Sequence, residues 1–385
     1  MFLLFAGLLA AGPAAGAADV DPPLRTSGWG YNGYGQLGTG DVNDRGAPSA
    51  VPTDFEQVSA GLLHSLGVDA KGQVKAWGYN ALGQVGDGSL TTRKSPVAVA
   101  GRTDMVQVAT GAYHSLSLAR DGTVWSWGWN AFGQLGDGTT RDRLRPVKVK
   151  GLSDVVSISA GWYHNLALKQ DGTVWAWGWN IFGQVGDGTL TDRWLPVQVS
   201  GLTDMTNISA GAYHNIGVVS QSSSMRAWGW NGFGQLGDGT LTTRTVPVAI
   251  ESPFKLATRM VSAGYLHNVA VNNTGEVFGW GWNAFGQLGT GTVADGRLPK
   301  SIACNTTRPG CYQKSNLGAV WVSAGGAHSL ILATDGTVWS YGSNVFGILG
   351  DGPAEGRTVV ERIPGSRSVL DLSAGFFHNL SVGTE

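Results

Sequence analysis

The chain has 385 residues, 60 of them glycine and 16 tryptophan, with 42% hydrophobic and 14% charged residues. Glycine far above its ordinary share of about 7%, with charge well below the usual share of about 25%, describes a turn-rich globular chain and excludes a disordered polymer. A formal net charge of −1 without long runs of either sign argues against an electrostatic grip on nucleic acid or on an anionic membrane.

In chain order, residues 1–18, MFLLFAGLLAAGPAAGAA, carry no charged side chain. A short apolar run followed by small residues predicts a secretory signal cleaved after Ala17 or Ala18, although the Lys or Arg usual in such a signal is missing. The apolar part is shorter than the ~20 residues of a membrane span, so the membrane is expected to be met only during export. Residues 19–26 read as a short linker and 27–385 as the folded domain.

From there one unit returns along the chain. All seven histidines, His64, His114, His164, His214, His267, His328 and His378, sit in versions of the phrase SAG-x-x-H-[SN]. Most steps between them are 50 residues, with 53 and 61 on the two sides of His267. A second phrase alternates with it: WGYN at 29 and 77, WGWN at 127, 177, 228 and 280, and YGSN at 341, each followed by a G-[QI]-[LV]-G loop. Such periodicity marks a repeat architecture.

Within one unit, NLALKQDGTVWAW holds two alternating apolar stretches around an Asp-Gly, the pattern of a β-hairpin. The β-branched stretches DVVSISAG before it and LPVQVS after it predict two more short strands. Prolines after the glycine loop (Pro96, Pro146, Pro196, Pro247 and Pro299) suit the start of an edge strand. No helical period of ten or more residues appears beyond the signal segment.

Residues 296–319, GRLPKSIACNTTRPGCYQKSNLGA, form an insertion. It holds the only two cysteines, Cys304 and Cys311, expected to pair as a local disulfide if the chain is exported. No histidine lies close enough in sequence to complete a zinc site with them, and no metal or other cofactor is expected.

The two ends complete the pattern. The N-terminus opens with a tryptophan half-unit at Trp29, and the C-terminus stops at a histidine half-unit at His378. Joined, they make a seventh blade, so the predicted fold is all-β, a seven-bladed β-propeller closed by its terminal half-repeats, which leaves no open end of the array.

The phrase SAGxxHSLAL-xDGTVWSWGxNxxGQLGDG resembles the repeat of the regulator of chromosome condensation family, over roughly residues 27 to 383. The resemblance implies a seven-bladed propeller, often a protein-binding platform. Members include the nuclear exchange factor for the small GTPase Ran, a plant ultraviolet-B photoreceptor and exported bacterial proteins, and a similar shorter repeat occurs in a secreted inhibitor of β-lactamases. In the photoreceptor the resemblance implies Gly-Trp-Arg-His motifs. Here the position after SAG is Leu62, Ala112, Trp162, Ala212, Tyr265, Gly326 and Phe376, and only Trp162 matches, followed by Tyr163 in place of arginine.

The seven histidines read as structural markers of the repeat. Equivalent residues on neighbouring blades stand about 10 Å apart, whereas a shared zinc ion needs each nitrogen at about 2 Å. None has a distinct setting that would single it out as a base. The GxGxxG matches lack the helix that a dinucleotide site requires. The loop carboxylates Asp87, Asp137, Asp187, Asp238 and Asp351 come one to a loop, short of a calcium set. No catalytic residue is assigned, and the chain is not expected to be an enzyme.

The aromatic residues offer more. At the third tryptophan position, Trp129, Trp179, Trp230 and Trp282 sit where strand passes into the glycine loop, and with Trp162 they are the candidate partner-binding residues. If the strand stays regular through Gly178, Trp175, Trp177 and Trp179 share one face. The expectation is therefore an exported, secreted monomer that binds a protein or cell-envelope ligand through loops on one face of the propeller. The alternatives are guanine-nucleotide exchange on a small GTPase and inhibition of β-lactamase-like enzymes.

Overall fold

Asp171 and Gly172 turn the chain between strands His164–Lys169 and Val174–Gly178, which pair antiparallel with Leu168 opposite Val174. Gly172 takes φ +78°, where a Cβ would lie 2.8 Å from the Asp204 nitrogen. Asp171 Oδ1 accepts the Thr173 amide at 3.0 Å, the local bond that makes Asp a turn former. Strand Val155–Ala160 adds to one side of this hairpin and strand Arg193–Gln198 to the other. The result is a four-stranded blade.

The computed structural model describes residues 23–384 apart from 102, 221–223, 251–257, 303–316 and 354. It contains seven such four-stranded sheets. Six run consecutively along the chain, and the seventh has strands Arg45–Val51, Arg25–Gly30, His378–Gly383 and Val369–Ala374 side by side in that order. In it Gly28 faces Leu380 and Gly30 faces His378, so the N-terminal half-unit is knitted to the C-terminal one. The fold is the all-β, seven-bladed propeller expected from the two incomplete ends. The predicted signal at 1–18 and the Cys304–Cys311 pair lie outside the described residues.

The first strand of each blade stands nearest the axis. These inner strands touch their neighbours through side chains: Ser159 Oγ accepts the Ala210 amide at 3.0 Å, and Ser373 Oγ accepts the Ala60 amide at 2.9 Å. The serine of the SAG phrase thus links one blade to the next. The fourth strand is the exposed edge, and Pro196 lies within it, where the register to the third strand is interrupted between Ala176 and Gly178. The proline therefore sits at the irregularity rather than at the strand start. There its missing N–H costs no ladder bond.

Blades pack through the second tryptophan position. Trp29, Trp77, Trp127, Trp177, Trp228, Trp280 and Tyr341 are all buried. Trp177 rests on Leu116, Leu118, Val124 and Val149 of the preceding blade. At about 200 Å² buried per ring and about 25 cal/mol per Å², each contributes about 5 kcal/mol of transfer free energy.

Candidate partner-binding face

Every histidine lies at the start of a second strand and is fully buried. His164 Nε2 meets Asn215 Oδ1 of the next blade at 2.7 Å, and Asn215 Nδ2 donates to the Gln184 carbonyl at 2.7 Å. Trp228 Nε1 donates to that same carbonyl at 3.0 Å. The pattern recurs from blade to blade, with Ser replacing Asn at 65, 115 and 329. Because the Asn amide nitrogen, or the Ser hydroxyl proton, is directed to a carbonyl, the histidine must donate through Nε2. Each Nδ1 is then a bare lone pair, buried without a partner. Burial drives all seven imidazoles down, to about 3 for His64, His267 and His378 and about 4 for the others. They are neutral spacers between blades at ordinary pH.

The third tryptophan position behaves differently. Gly178 adopts φ +103°, and a Cβ there would lie 2.5 Å from the Tyr163 carbonyl and 2.9 Å from His164 Cα. The strand therefore does not stay regular through it. Trp175 and Trp177 both contribute to the packing between blades, whereas Trp179 is carried onto the face where its amide donates to Tyr163 O at 2.9 Å. The same face receives the first-to-second strand turn of each blade and the third-to-fourth strand loop.

On this face the rings form a continuous belt. Tyr113, Trp129, Phe132, Trp179, Phe182, Trp230, Phe233, Trp282 and Phe285 follow one another, with centroid separations from 5.3 to 6.2 Å. Most contacts are edge-to-face, the favoured geometry for aromatic pairs. Tyr163 sits inside the belt, 5.4 Å from Trp129 and 5.7 Å from Trp179, and Tyr213 lies 5.7 Å from Trp179 and 6.0 Å from Trp230. The belt breaks where Ser343 takes the tryptophan position.

At the axis, aromatic residues of non-adjacent blades meet. Trp162 stacks on Tyr265 at 4.6 Å and approaches Phe376 at 5.4 Å, and Phe376 lies 5.1 Å from Tyr265. Between these large rings stand Ala212, Gly326 and, on the remaining side, Leu62 with Ala112. The small residues Ala212, Gly326 and Ala112 between them let the three rings converge at the axis.

The structure thus gathers Trp129, Trp162, Trp179, Trp230 and Trp282 on one surface, all half-buried. Beside them are Phe132, Phe182, Phe233 and Phe285, which sequence reasoning passed over although a phenylalanine recurs three residues after each of Trp129, Trp179, Trp230 and Trp282. The loops hold a second unnoticed device. Arg143, Arg193 and Arg244 pair with Asp137, Asp187 and Asp238 at 2.6, 2.5 and 2.9 Å, and Arg93 with Asp87 at 2.6 Å. Burial raises each of these carboxyls, but hydrogen bonds from the Ser or Thr two residues on, and from the arginine, hold them below the usual range. The arginine six residues after each aspartate was the available signal. Among the described residues no group of three or more His, Cys, Asp or Glu is placed to hold a metal, and no helix is long and apolar enough to cross a membrane.

Known proteins share this fold and its repeats. The RCC1-like domain pattern matches residues 24–259, and RCC1 repeat patterns match 274–332 and 322–348. The chain is 31% identical over 167 residues to the ultraviolet-B receptor UVR8 of Arabidopsis thaliana, covering 43% of this chain and 36% of the receptor. It is 34% identical over 171 residues to the probable E3 ubiquitin-protein ligase HERC6 of Homo sapiens, covering 43% of this chain and 16% of the ligase. These alignments span well under two thirds of either relative. Among solved structures, human WBSCR16 superposes with a TM-score of 0.82 at 23% identity, covering 94% of this chain and 98% of that one. Prp20p of Saccharomyces cerevisiae superposes with a TM-score of 0.81 at 23% identity, covering 95% and 92%. With the domain pattern matching more than half of the chain and its seven blades closed by the terminal half-units, the chain belongs to the RCC1-like domain family.

Proposed function

We propose that this protein is a non-catalytic, exported scaffold that binds a partner protein through its aromatic face. The observation that carries the reading is the face itself. The seven loop segments 31–34, 79–82, 129–132, 179–182, 230–233, 282–285 and 343–346 and the seven inner turns contain no Asp, Glu, Lys, Arg or His. Phe285 is 47% and Ile181 53% exposed there. A contiguous aromatic surface of this kind is characteristic of an interaction site. The described structure of Prp20p concerns its binding to Gsp1p and histones, and Prp20 has also been solved bound to Kap60, so propellers of this shape do engage proteins. Export rests on the uncharged apolar segment 1–18, and the Cys304–Cys311 disulfide follows from export. Nucleotide exchange and β-lactamase inhibition rest on resemblance alone and are not preferred.

The test is affinity capture with the full chain against the same chain carrying Trp179→Ala and Trp230→Ala, with cell-wall material as a parallel bait. Loss of a captured protein on substitution supports the reading. Equal capture by both chains places the contact elsewhere, and retention on wall material alone makes the ligand an envelope polymer. Recovery of the chain in the medium, with an N-terminus near residue 19, tests export.

A further inference from the structure

The formal net charge of −1 conceals one local exception: residues 141–150, RDRLRPVKVK, hold five of the chain's 26 Lys and Arg. They make up the outer edge strand Arg143–Lys148 of the His114 blade and the residues on either side of it. Arg143 is held by Asp137 at 2.6 Å. Arg141, Arg145, Lys148 and Lys150 are exposed, and none of them pairs with a carboxylate of the described residues. Two acidic residues lie close in sequence, Asp142, which accepts the Asn130 amide at 2.8 Å, and Asp154, which accepts the Ser153 hydroxyl at 2.7 Å. They offset only part of the charge.

The cations belong to this blade and not to the repeat. Five other blades carry the same strand proline, Pro48, Pro96, Pro196, Pro247 and Pro299, and none has Lys or Arg at the four equivalent positions. In the next blade those positions are Thr191, Leu195, Gln198 and Ser200. The scaffold therefore does not require the charges, and like charges gathered on one strip repel one another unless an anion lies among them.

The strip borders a groove of about 840 Å³, lined by Asp137, Thr139, Arg143 and residues 147–153. Gly151, with nothing within 4 Å of where a Cβ would stand, leaves the groove open to solvent. On the other side Arg145 carries the charge toward the preceding blade, its Nη2 2.6 Å from where a Cβ on Gly88 would stand.

Three features narrow the choice of anion. The lining of the groove holds no aromatic ring, so the bases of a nucleic acid find no stacking platform. An acidic peptide is denied a place as an added strand, because Pro146 has no N–H and the Leu144 carbonyl already accepts the Gly88 amide at 2.9 Å. Arginine, which grips phosphate oxygens as a fork, and lysine, a compact point charge, together suit phosphate groups.

We propose that the groove of the His114 blade binds a polyol-phosphate polymer of the cell envelope, a slender chain of phosphodiester units without rings. The envelope as its source rests on the proposed export, whereas the groove is independent of the aromatic face.

The experiment titrates the full chain with a synthetic glycerol-phosphate oligomer, at low salt and at about 0.3 M salt. An oligoglutamate and an oligothymidylate of the same charge serve as comparisons. The oligomer is expected to bind more tightly than either, and to weaken with salt. Lys148→Gln combined with Lys150→Ser, the residues that the next blade carries at these positions, is expected to weaken it about tenfold or more. Arg297→Gln combined with Lys300→Gln removes two exposed cations from the fourth strand of another blade and is expected to bind as the parent does, as is Trp179→Ala. Matched thermal midpoints establish that each variant is folded. Absence of binding, binding that survives the groove substitutions, or an equal loss in the Arg297 and Lys300 variant overturns the site. Equal or tighter binding of the oligoglutamate or the oligothymidylate overturns the choice of polymer. Loss of protein capture in the aromatic-face variants is a separate outcome, so the two readings fail independently.

Discussion

His378 Nε2 lies 2.8 Å from Ser65 Oγ across 313 residues of sequence. Ser65 Oγ donates in turn to the Gln36 carbonyl at 2.8 Å, so the histidine is the donor. This bond repeats the one made at every other blade junction, but here it is the step that completes the circle. Ser65→Ala removes the acceptor and leaves a buried imidazole N–H unpaired, at an expected cost of about 1–3 kcal/mol. Ser115→Ala, which strands His64 in the same way, serves as the comparison at a junction not bridged by the chain ends. Urea unfolding of both variants checks it, and equal, negligible shifts would sink the account.

Acid should weaken the ring. With the histidines held at about 3 to 4 in the folded state against about 6.5 when unfolded, the unfolded chain binds more protons below pH 6.5. Stability is therefore full above that value and declines as pH falls toward 4. Asp371, pushed up to about 6 by burial, works in the opposite sense as a single group and does not reverse seven. Urea midpoints at pH 8, 7, 6 and 5 are expected to be flat at first and then to drop.

The glycine of the SAG phrase answers to close approach rather than to backbone angle. A Cβ on Gly211 would stand 2.5 Å from His214 Cε1 and 2.6 Å from the Gly264 carbonyl. Gly211→Ala is expected to cost at least about 3 kcal/mol, at the upper end of overpacking effects. Gly201, at φ +66° with nothing within 4 Å of a Cβ, is expected to lose only about 1–2 kcal/mol on the same change, from left-handed strain. Thermal unfolding of the pair reads the difference.

The loop ion pairs are testable singly. Asp187 is 10% exposed and Arg193 33%, between the surface and buried regimes, so Asp187→Ala is expected to cost about 1–2 kcal/mol. A double-mutant cycle with Arg193→Ala should return a favourable coupling. Additive effects would mean that Asp187 acts only by ordering Thr189, whose amide and hydroxyl it accepts at 3.0 and 2.7 Å.

Much of the architecture was legible in the chain itself. Strand alternation around Asp171–Gly172 specified a hairpin because side chains in a strand alternate with a period of two. The unmatched halves at Trp29 and His378 specified closure, since an unpaired half-blade would leave open edges. What only the tertiary structure decided is where equivalent residues end up relative to one another. Trp177 and Trp179 are two residues apart and look alike in sequence. One is buried between blades and the other lies on the face, because Gly178 turns the backbone against Tyr163 and His164. Trp162, Tyr265 and Phe376 belong to different blades and meet only because the ring brings them to one axis. The pairing of Asp187 with Arg193 likewise depends on the loop's return path. Local periodicity is written in neighbouring residues, whereas convergence across a closed ring depends on the positions of all seven blades at once.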